Sequence, residues 1–506
     1  MRSRKALYNI LANLLLQLVI IAYGFIVPKI IINNFGSNIN GLISSITQFL
    51  TYIALLESGF GPVVKATLYK PIAKKDKKTI TDILRTSERF FRKISYIFIL
   101  YIISLFFIYP ILVEGSFDAL FTISLIAIIG ISTFAEYYFG MTYRLYLQAE
   151  QKTYIVSIIQ IASYILSILS VVILAILKVD IFTLKLISSL IFVIRPILQN
   201  IYVKRKYSIN LKDGNPNYKI NQKWDGLAQH IASVIHNNTD ITVLTIFCPL
   251  AEVSVYSVYY LVVKGIKSLI QAFNNGIDAT FGDMIAKKEK ETLMRKFTTY
   301  ECLYFIVTTI VFSCTIVLIT PFISVFTLGV SDANYIRPLF GILLAISEFI
   351  WAIRLPYSSI TLAAGHFKQT KKGAWIECIT NILISIILVN WLGIIGVAIG
   401  TIVAMTIRTF EFVRHTNRYI LKRPTWESAK KIMIVLLETV IIVLICSQIK
   451  YYDNNNYLNW GLNAIITFAI ATIIVIGINL LFFKKELNIG KQLIKNIITK
   501  RKSQQE

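Results

Sequence analysis

Between residues 7 and 483 the sequence is a succession of apolar runs separated by short polar stretches. Each run is long enough for a helix to cross a hydrocarbon core about 30 Å thick, which takes about 20 residues. In lipid every backbone N–H and C=O must be satisfied within its own segment, so the runs are predicted to be helices. They fall near residues 7–32, 41–69, 94–113, 119–146, 154–177, 181–203, 226–248, 252–281, 298–320, 335–363, 373–392, 394–414, 430–449 and 459–483. About fourteen are counted, and the chain is expected to be an all-α polytopic membrane protein.

The polar stretches alternate in charge. MRSRK at the start, 74–93, 144–152, 204–223, 287–296, 366–372, the stretch around Lys422 and Arg423, and the tail from Lys484 are rich in Lys and Arg. The intervening NNFGSNIN (33–40), EGSFD (114–118), CPLAE (248–252) and LGVSDAN (328–334) are nearly devoid of them. Positive charge is retained on the cytoplasmic side, so an even number of spans with both termini cytoplasmic is expected. The same distribution accounts for the net charge of +25 without a nucleic-acid partner, because the basic residues do not gather on one soluble face. No outside loop offers room for a folded external domain. The first run is too long for a cleavable signal peptide and lacks a small-residue cleavage site. Five cysteines, scattered singly through apolar runs, read as packing residues rather than zinc ligands or disulfides.

Residues 70–79 read KPIAKKDKKT and residues 283–292 read DMIAKKEKET. Each follows an even-numbered run, the second and the eighth. At a similar offset INGLISS (39–45) pairs with VSVYSVY (253–259), Glu136 with Glu348, Tyr109-Pro110 with Thr320-Pro321, and LQAEQK (147–152) with LAAGHFK (362–368). The matches keep one order, which predicts two six-helix halves of the same orientation, a parallel repeat. The expected divisions are an N-lobe over 1–203, a cytoplasmic linker over 204–225, a C-lobe over 226–420, an appended pair over 421–483 and a basic tail over 484–506.

An ionisable group inside a span costs about 2.5–3.5 kcal/mol on insertion scales, so such residues are the informative ones. Lys264, Arg195, Asp240 and Glu348 fall near the predicted midplane, with Glu57, Glu136, Lys267, Arg354 and Arg408 within roughly two turns of it. Lys29 and Lys65 lie closer to the interfaces, where snorkelling is the plain explanation. Arg408 and Glu411, spaced i, i+3, neutralise each other in the simplest reading, and Arg195 answers carbonyls freed by Pro196. The seventh run carries His236, Asn237, Asn238, Thr239 and Asp240 in succession, more polarity than a lipid-facing helix tolerates. It must face a water-filled cavity or bond to other polar helices. In the eighth, three tyrosines including Tyr256 and Tyr260 precede Lys264, Lys267, Gln271, Asn274 and Asn275, a polar stripe at helical spacing. Lysines as point charges for phosphate and tyrosines as sugar platforms suit an anionic head carrying a carbohydrate; packing against the other half is the structural alternative. Gly59, Gly61 and Pro62 are expected to interrupt or bend the second span. No Walker A loop, dinucleotide turn or HExxH site is present, and the four histidines are too dispersed for a metal cluster, so neither catalysis nor a resident metal is expected.

NILANLLLQLVIIAYGFIVPKIIINNFGSNINGL in the first span, ESGFGPVVKATLYKPIAKKD after the second, HNNTDITVL in the seventh and the fourteen-span layout together resemble the polysaccharide (Wzx-type) transporters of the multidrug/oligosaccharidyl-lipid/polysaccharide (MOP) flippase superfamily. The resemblance implies two six-helix lobes in a V around a central cationic cavity. It implies alternating access and translocation of an undecaprenyl-diphosphate-linked oligosaccharide between the leaflets of the bacterial plasma membrane, for capsule- or O-antigen-type polysaccharide. The family's basic cavity residues map to Lys264 and Lys267, then Lys65 and Lys29; many relatives have Arg in place of Lys65. His236, Asn237, Asn238, Gln271, Asn274, Tyr256 and Tyr260 are the expected cavity and sugar contacts. Asp240, Glu57, Glu136 and Glu348 are the candidates for H⁺ or Na⁺ coupling, beside the membrane potential. No other cofactor is expected; membrane lipids, the glycan's polymerase and glycosyltransferases are the expected partners. A lipid II flippase and a drug/cation antiporter of the same superfamily are the alternatives. A polymerase or lipid-linked glycosyltransferase would need a sizeable external loop that the chain lacks.

Overall fold

The computed structural model describes residues 2–57, 59–113, 115–220, 227–453, 456–489 and 492, without the side chains of residues 2–7, 227, 272–273 and 275–279. The side chains of MRSRK and Asn275, the end of the predicted linker and most of the basic tail therefore lie outside the described residues. Those described contain helices and no strand.

The chain divides into two compact units. Unit 1 comprises Met1–Ser257 with Gly329–Ala333, and unit 2 comprises Val258–Leu328 with Asn334–Glu506. Unit 1 holds α1 (Arg2–Phe35), α2 (Ser37–Thr51), α3 (Ala54–Glu57), α4 (Phe60–Lys74), α5 (Lys77–Leu112), α6 (Ala119–Ala135), α7 (Met141–Ala149), α8 (Thr153–Ile176), α9 (Ile181–Tyr207) and α10 (Leu227–Phe247). The boundary falls inside α11 (Leu250–Ala286). Unit 2 continues with α12 (Lys290–Phe326), α13 (Pro338–Ala363), α14 (Phe367–Leu392), α15 (Ile394–His415), α16 (Thr425–Ser447) and α17 (Tyr457–Phe482).

Among the described residues, twelve helical segments are long and apolar enough to cross a membrane, against fourteen runs counted in the sequence. Helices form at the other two positions as well, α10 and α16, but both fall short on composition. α10 carries its run of His, Asn, Thr and Asp, and α16 carries Glu427, Lys430, Lys431 and Glu438. The second run is interrupted, as its glycines predict: Gly59, at φ 82°, separates α3 from α4 in a left-handed conformation that costs a residue with a Cβ about 1 kcal/mol or more.

Within unit 1, α1 packs on α8, α8 and α6 on α9, and α10 on α2. In unit 2, α12 is central, packed by α13, α16 and α17, with α15 between α13 and α14. Two-thirds of the most apolar stretch of α12 is buried (67%), against 11% for α1, so α12 is the core helix of unit 2 and α1 is a peripheral helix of unit 1. Phe297, Phe312, Phe349 and Tyr357 fill the space around α12, and Phe312 stacks on Phe349 at 5.3 Å. Leu100, Phe107, Leu120, Trp391 and Leu481 stand exposed, which hydrocarbon tolerates.

Candidate functional site

The polar run of α10 meets α2. Ser45 Oγ lies 2.5 Å from Thr245 Oγ1, Tyr52 Oη lies 2.9 Å from Thr242 Oγ1, and Gln48 donates to Asn238 Oδ1. Tyr109 Oη donates to Ser45 Oγ at 2.6 Å, closing the ladder on α5. Tyr256, buried at the start of α11, donates to Asp240 Oδ2 at 2.7 Å. Of the two readings offered by the sequence, interhelical bonding therefore accounts for Asn238 and Asp240. His236 is buried, whereas Asn237 is exposed and reaches only Ser233, one turn back.

Glu57 and Glu136, singled out separately in the sequence, belong to one cluster in unit 1. Tyr137 Oη donates to Glu57 Oε2 at 3.2 Å, and Arg144 Nη1 pairs with Glu136 Oε1 at 2.8 Å. The backbone makes this pairing possible. Glu136–Gly140 forms a π-helical turn between α6 and α7, whereas an unbroken α-helix would set residues 136 and 144 about 80° apart around its axis. The wider turn removes part of that offset. Arg144 carries no such signal in the sequence, because RLYLQAEQK reads as a basic loop, yet α7 stays helical to Ala149.

Beside that cluster unit 1 has an open-sided cavity of about 410 Å³, with Tyr137 in the shared wall. Tyr23, Tyr164, Thr133, Ser189, Phe192 and Lys185 are among its lining residues, and among the described residues no carboxylate is. Behind the rings, the Arg195 guanidinium lies 4.1 Å from the Tyr164 ring centre and 4.0 Å from that of Phe192. Arg195 is thus held by aromatic faces, with Nε and Nη2 making no hydrogen bond among the described residues. Lys185 sits one turn into α9, where it reads as an ordinary interfacial lysine; only the cavity distinguishes it.

On α11, Lys264, Lys267, Gln271 and Asn274 follow one another at steps of 3, 4 and 3 residues, one face of the helix. Their roles diverge. Lys267 pairs with Glu348 at 2.8 Å and lies over the Trp351 ring at 4.5 Å. Asn274 is buried, donating to Ser359 and accepting from Tyr300 at 2.7 Å. Gln271 and Tyr260 are half-buried. Lys264 is exposed, and among the described residues no carboxylate comes within ion-pair distance of it. The same holds for Lys65, half-buried on α4; Lys29 is half-buried on α1.

Unit 2 also contains two ion networks whose membership the sequence does not reveal. Glu301, fully buried, accepts from Arg423 and Lys431 at 2.6 Å each and from Tyr357 at 2.6 Å. Arg408 pairs with Glu411, as its spacing predicts, and also approaches Glu377, which holds Arg354. A Cβ at Gly373 would fall 1.5 Å from Glu411 Oε2, so this network occupies the space that a missing side chain leaves.

No protein-family model matches the sequence, and no curated protein does. The fold is that of solved MOP superfamily transporters. It is similar to "Lipid II flippase MurJ" in an inward closed conformation, with TM-score 0.64 and 16% identity over 93% of this chain and 98% of that one. An inward-facing multidrug resistance MATE family transporter gives TM-score 0.61 and 14% identity over 81% and 98%. A MOP superfamily transporter from Pyrococcus furiosus, with a binding pocket of reverse polarity, gives 0.56 and 14% over 83% and 96%.

Proposed function

We propose that this protein is a non-enzymatic transporter that carries an undecaprenyl-diphosphate-linked oligosaccharide from the inner to the outer leaflet of a bacterial plasma membrane, for surface polysaccharide synthesis. The observation that carries the reading is a set of lysines within the helices that no acid compensates. Among the described residues, Lys264 and Lys65 have no carboxylate partner, and the cavity of unit 1 is lined by Lys185 and by no acid. Such sites favour an anion, with lysine as a point charge for phosphate. They disfavour the organic cation that an antiporter would take.

Lys264 is the first contact for the diphosphate, with Lys267 released to it as Glu348 changes partner. A potential negative inside favours outward movement of the anion by about 2.3 kcal/mol per charge per 100 mV. Glu57 and Glu136, held in one cluster by Tyr137 and Arg144, are the groups best arranged to take up H⁺ or Na⁺ in the cycle. Both termini are cytoplasmic in this reading, and the polymerase and glycosyltransferases of the same glycan are its partners. Lys264→Ala should abolish surface polymer while the protein still purifies as a folded monodisperse species. Normal surface polysaccharide in that variant would overturn the assignment. A lipid II flippase is the second reading, supported by the likeness that extends over 93% of this chain. Depletion then halts cell-wall synthesis rather than surface polymer alone.

A further inference from the structure

α5 is 36 residues long, well beyond what hydrocarbon requires. Its apolar portion, 94–112, already spans about 28 Å, so the turns before Ile94 stand at the level of the lipid headgroups. There Arg85, Glu88, Arg89, Arg92, Lys93 and Tyr96 line a pocket of about 320 Å³ with Pro216. Glu88, the one acid among them, is consumed by Arg85 at 2.7 Å and Arg92 at 2.8 Å. Arg89 and Lys93 are exposed and without a carboxylate among the described residues.

The pocket has a constructed wall. Asn215 N–H donates to Asp82 Oδ1 at 2.7 Å, Thr86 Oγ1 donates to the Asn215 carbonyl at 3.2 Å, and Arg89 donates to Asn217 Oδ1 at 2.8 Å. These bonds hold the segment after α9 against α5 and set Pro216 opposite the cations. The same helical face then turns apolar: at further steps of 3 and 4 residues come Tyr96, 54% exposed, and Leu100, 67% exposed, with Phe107 and Ile111 beyond. A basic concavity continuing directly into a lipid-facing apolar stripe matches an amphiphile with an anionic head. We propose that this pocket binds the phosphate of an anionic phospholipid, whose acyl chains lie along α5. The site is independent of the transported substrate.

The purified full-length protein is titrated with dihexanoyl phosphatidylglycerol, the matching phosphatidylcholine and inorganic phosphate. Phosphatidylglycerol should bind saturably and at least tenfold more tightly than either of the others. Replacing Arg89 and Lys93 together by Ala should weaken it at least tenfold. The charge-preserving pair Arg89→Lys and Lys93→Arg should stay within twofold. Asp82→Ala, which releases the wall but keeps all four cations, should cost at least threefold. Equal binding of the two lipids would reduce the site to an apolar stripe, and equal binding of inorganic phosphate would make it a free-anion site; either overturns the proposal. So does an unchanged affinity in the double alanine variant, or in Asp82→Ala, which would leave only a charged surface.

Discussion

The two units handle polarity inside an apolar fold in opposite ways. In unit 2 most buried charge is cancelled by charge: Glu301 between Arg423 and Lys431, Glu377 between Arg354 and Arg408, Glu348 against Lys267, with Glu438, bonded to the Asn479 amide, the exception among the described residues. In unit 1 the buried contacts are mainly neutral, hydroxyl to hydroxyl and amide to amide between α2 and α10, and the cations Lys185 and Arg195 face aromatic rings or a cavity instead of acids. The contrast bears on function. A buried, fully paired network is costly to break and has a single stable arrangement. Neutral hydrogen bonds between membrane helices are weak enough, about 0.6 kcal/mol on average, to exchange during a transport cycle. Unit 1 therefore has the composition of a mobile element and unit 2 that of a scaffold, with Lys264 its exposed cation on α11.

The most direct way to break this contrast is Glu301→Gln. The substitution keeps the shape and one acceptor but leaves Lys431 buried without its carboxylate and Arg423 with only Glu427, 3.9 Å away, which costs about 3–5 kcal/mol. Loss of the folded species in size-exclusion chromatography, or a steep fall in its melting temperature, is the expected result. A variant as stable as the parent would show that the network is not what holds α12 to α16.

That network also shows where reading the sequence stops. Helical class, position of every long run, the break at Gly59 and the Arg408–Glu411 pair follow from periodicity, composition and spacing, because lipid permits little else. Glu301 and Arg423 are 122 residues apart and carry no local signal of their meeting. Glu57 and Glu136 were legible as costly residues, but the Arg144 that pairs with Glu136 reaches it across a π-helical turn that no apolar pattern announces. The α11 stripe was legible as a face. That Lys267 is spent on Glu348 while Lys264 stays exposed depends on which side chains α13 brings to it.

A smaller effect is expected in unit 1. Gln48→Ala and Asn238→Ala remove the two ends of one interhelical bond, and a double-mutant cycle on unfolding should give a coupling of about 0.6 kcal/mol, at most about 1.7. Coupling of several kcal/mol would make the α2–α10 contact as rigid as the unit 2 networks and erase the distinction drawn between the units. Near zero, with transport rate altered, would sharpen it.

The smallest effect compares one helix start from each unit. In unit 1, α9 opens on Asp180, whose Oδ1 accepts from the Phe182 and Thr183 amides at 2.8 and 3.0 Å; its Oδ2 accepts from the Thr183 hydroxyl. In unit 2, α15 opens on Gly393 with no side-chain cap. The bonds from Thr183 hold the Asp180 carboxyl below its ordinary value of 3.8. A depressed carboxylate contributes stability above the ordinary value, and the contribution is lost as pH falls through the lowered one. Hydrogen exchange in the first turn of α9, corrected for intrinsic rates, should therefore lose protection by roughly 0.5 kcal/mol between pH 6 and pH 3, while α15 shows no matching change. Asp180→Asn preserves the acceptor but removes the titration, so its first turn should lose the pH dependence and keep most of the protection. If α9 and α15 lose protection in parallel, the acid response belongs to the whole fold and the cap contributes nothing of its own.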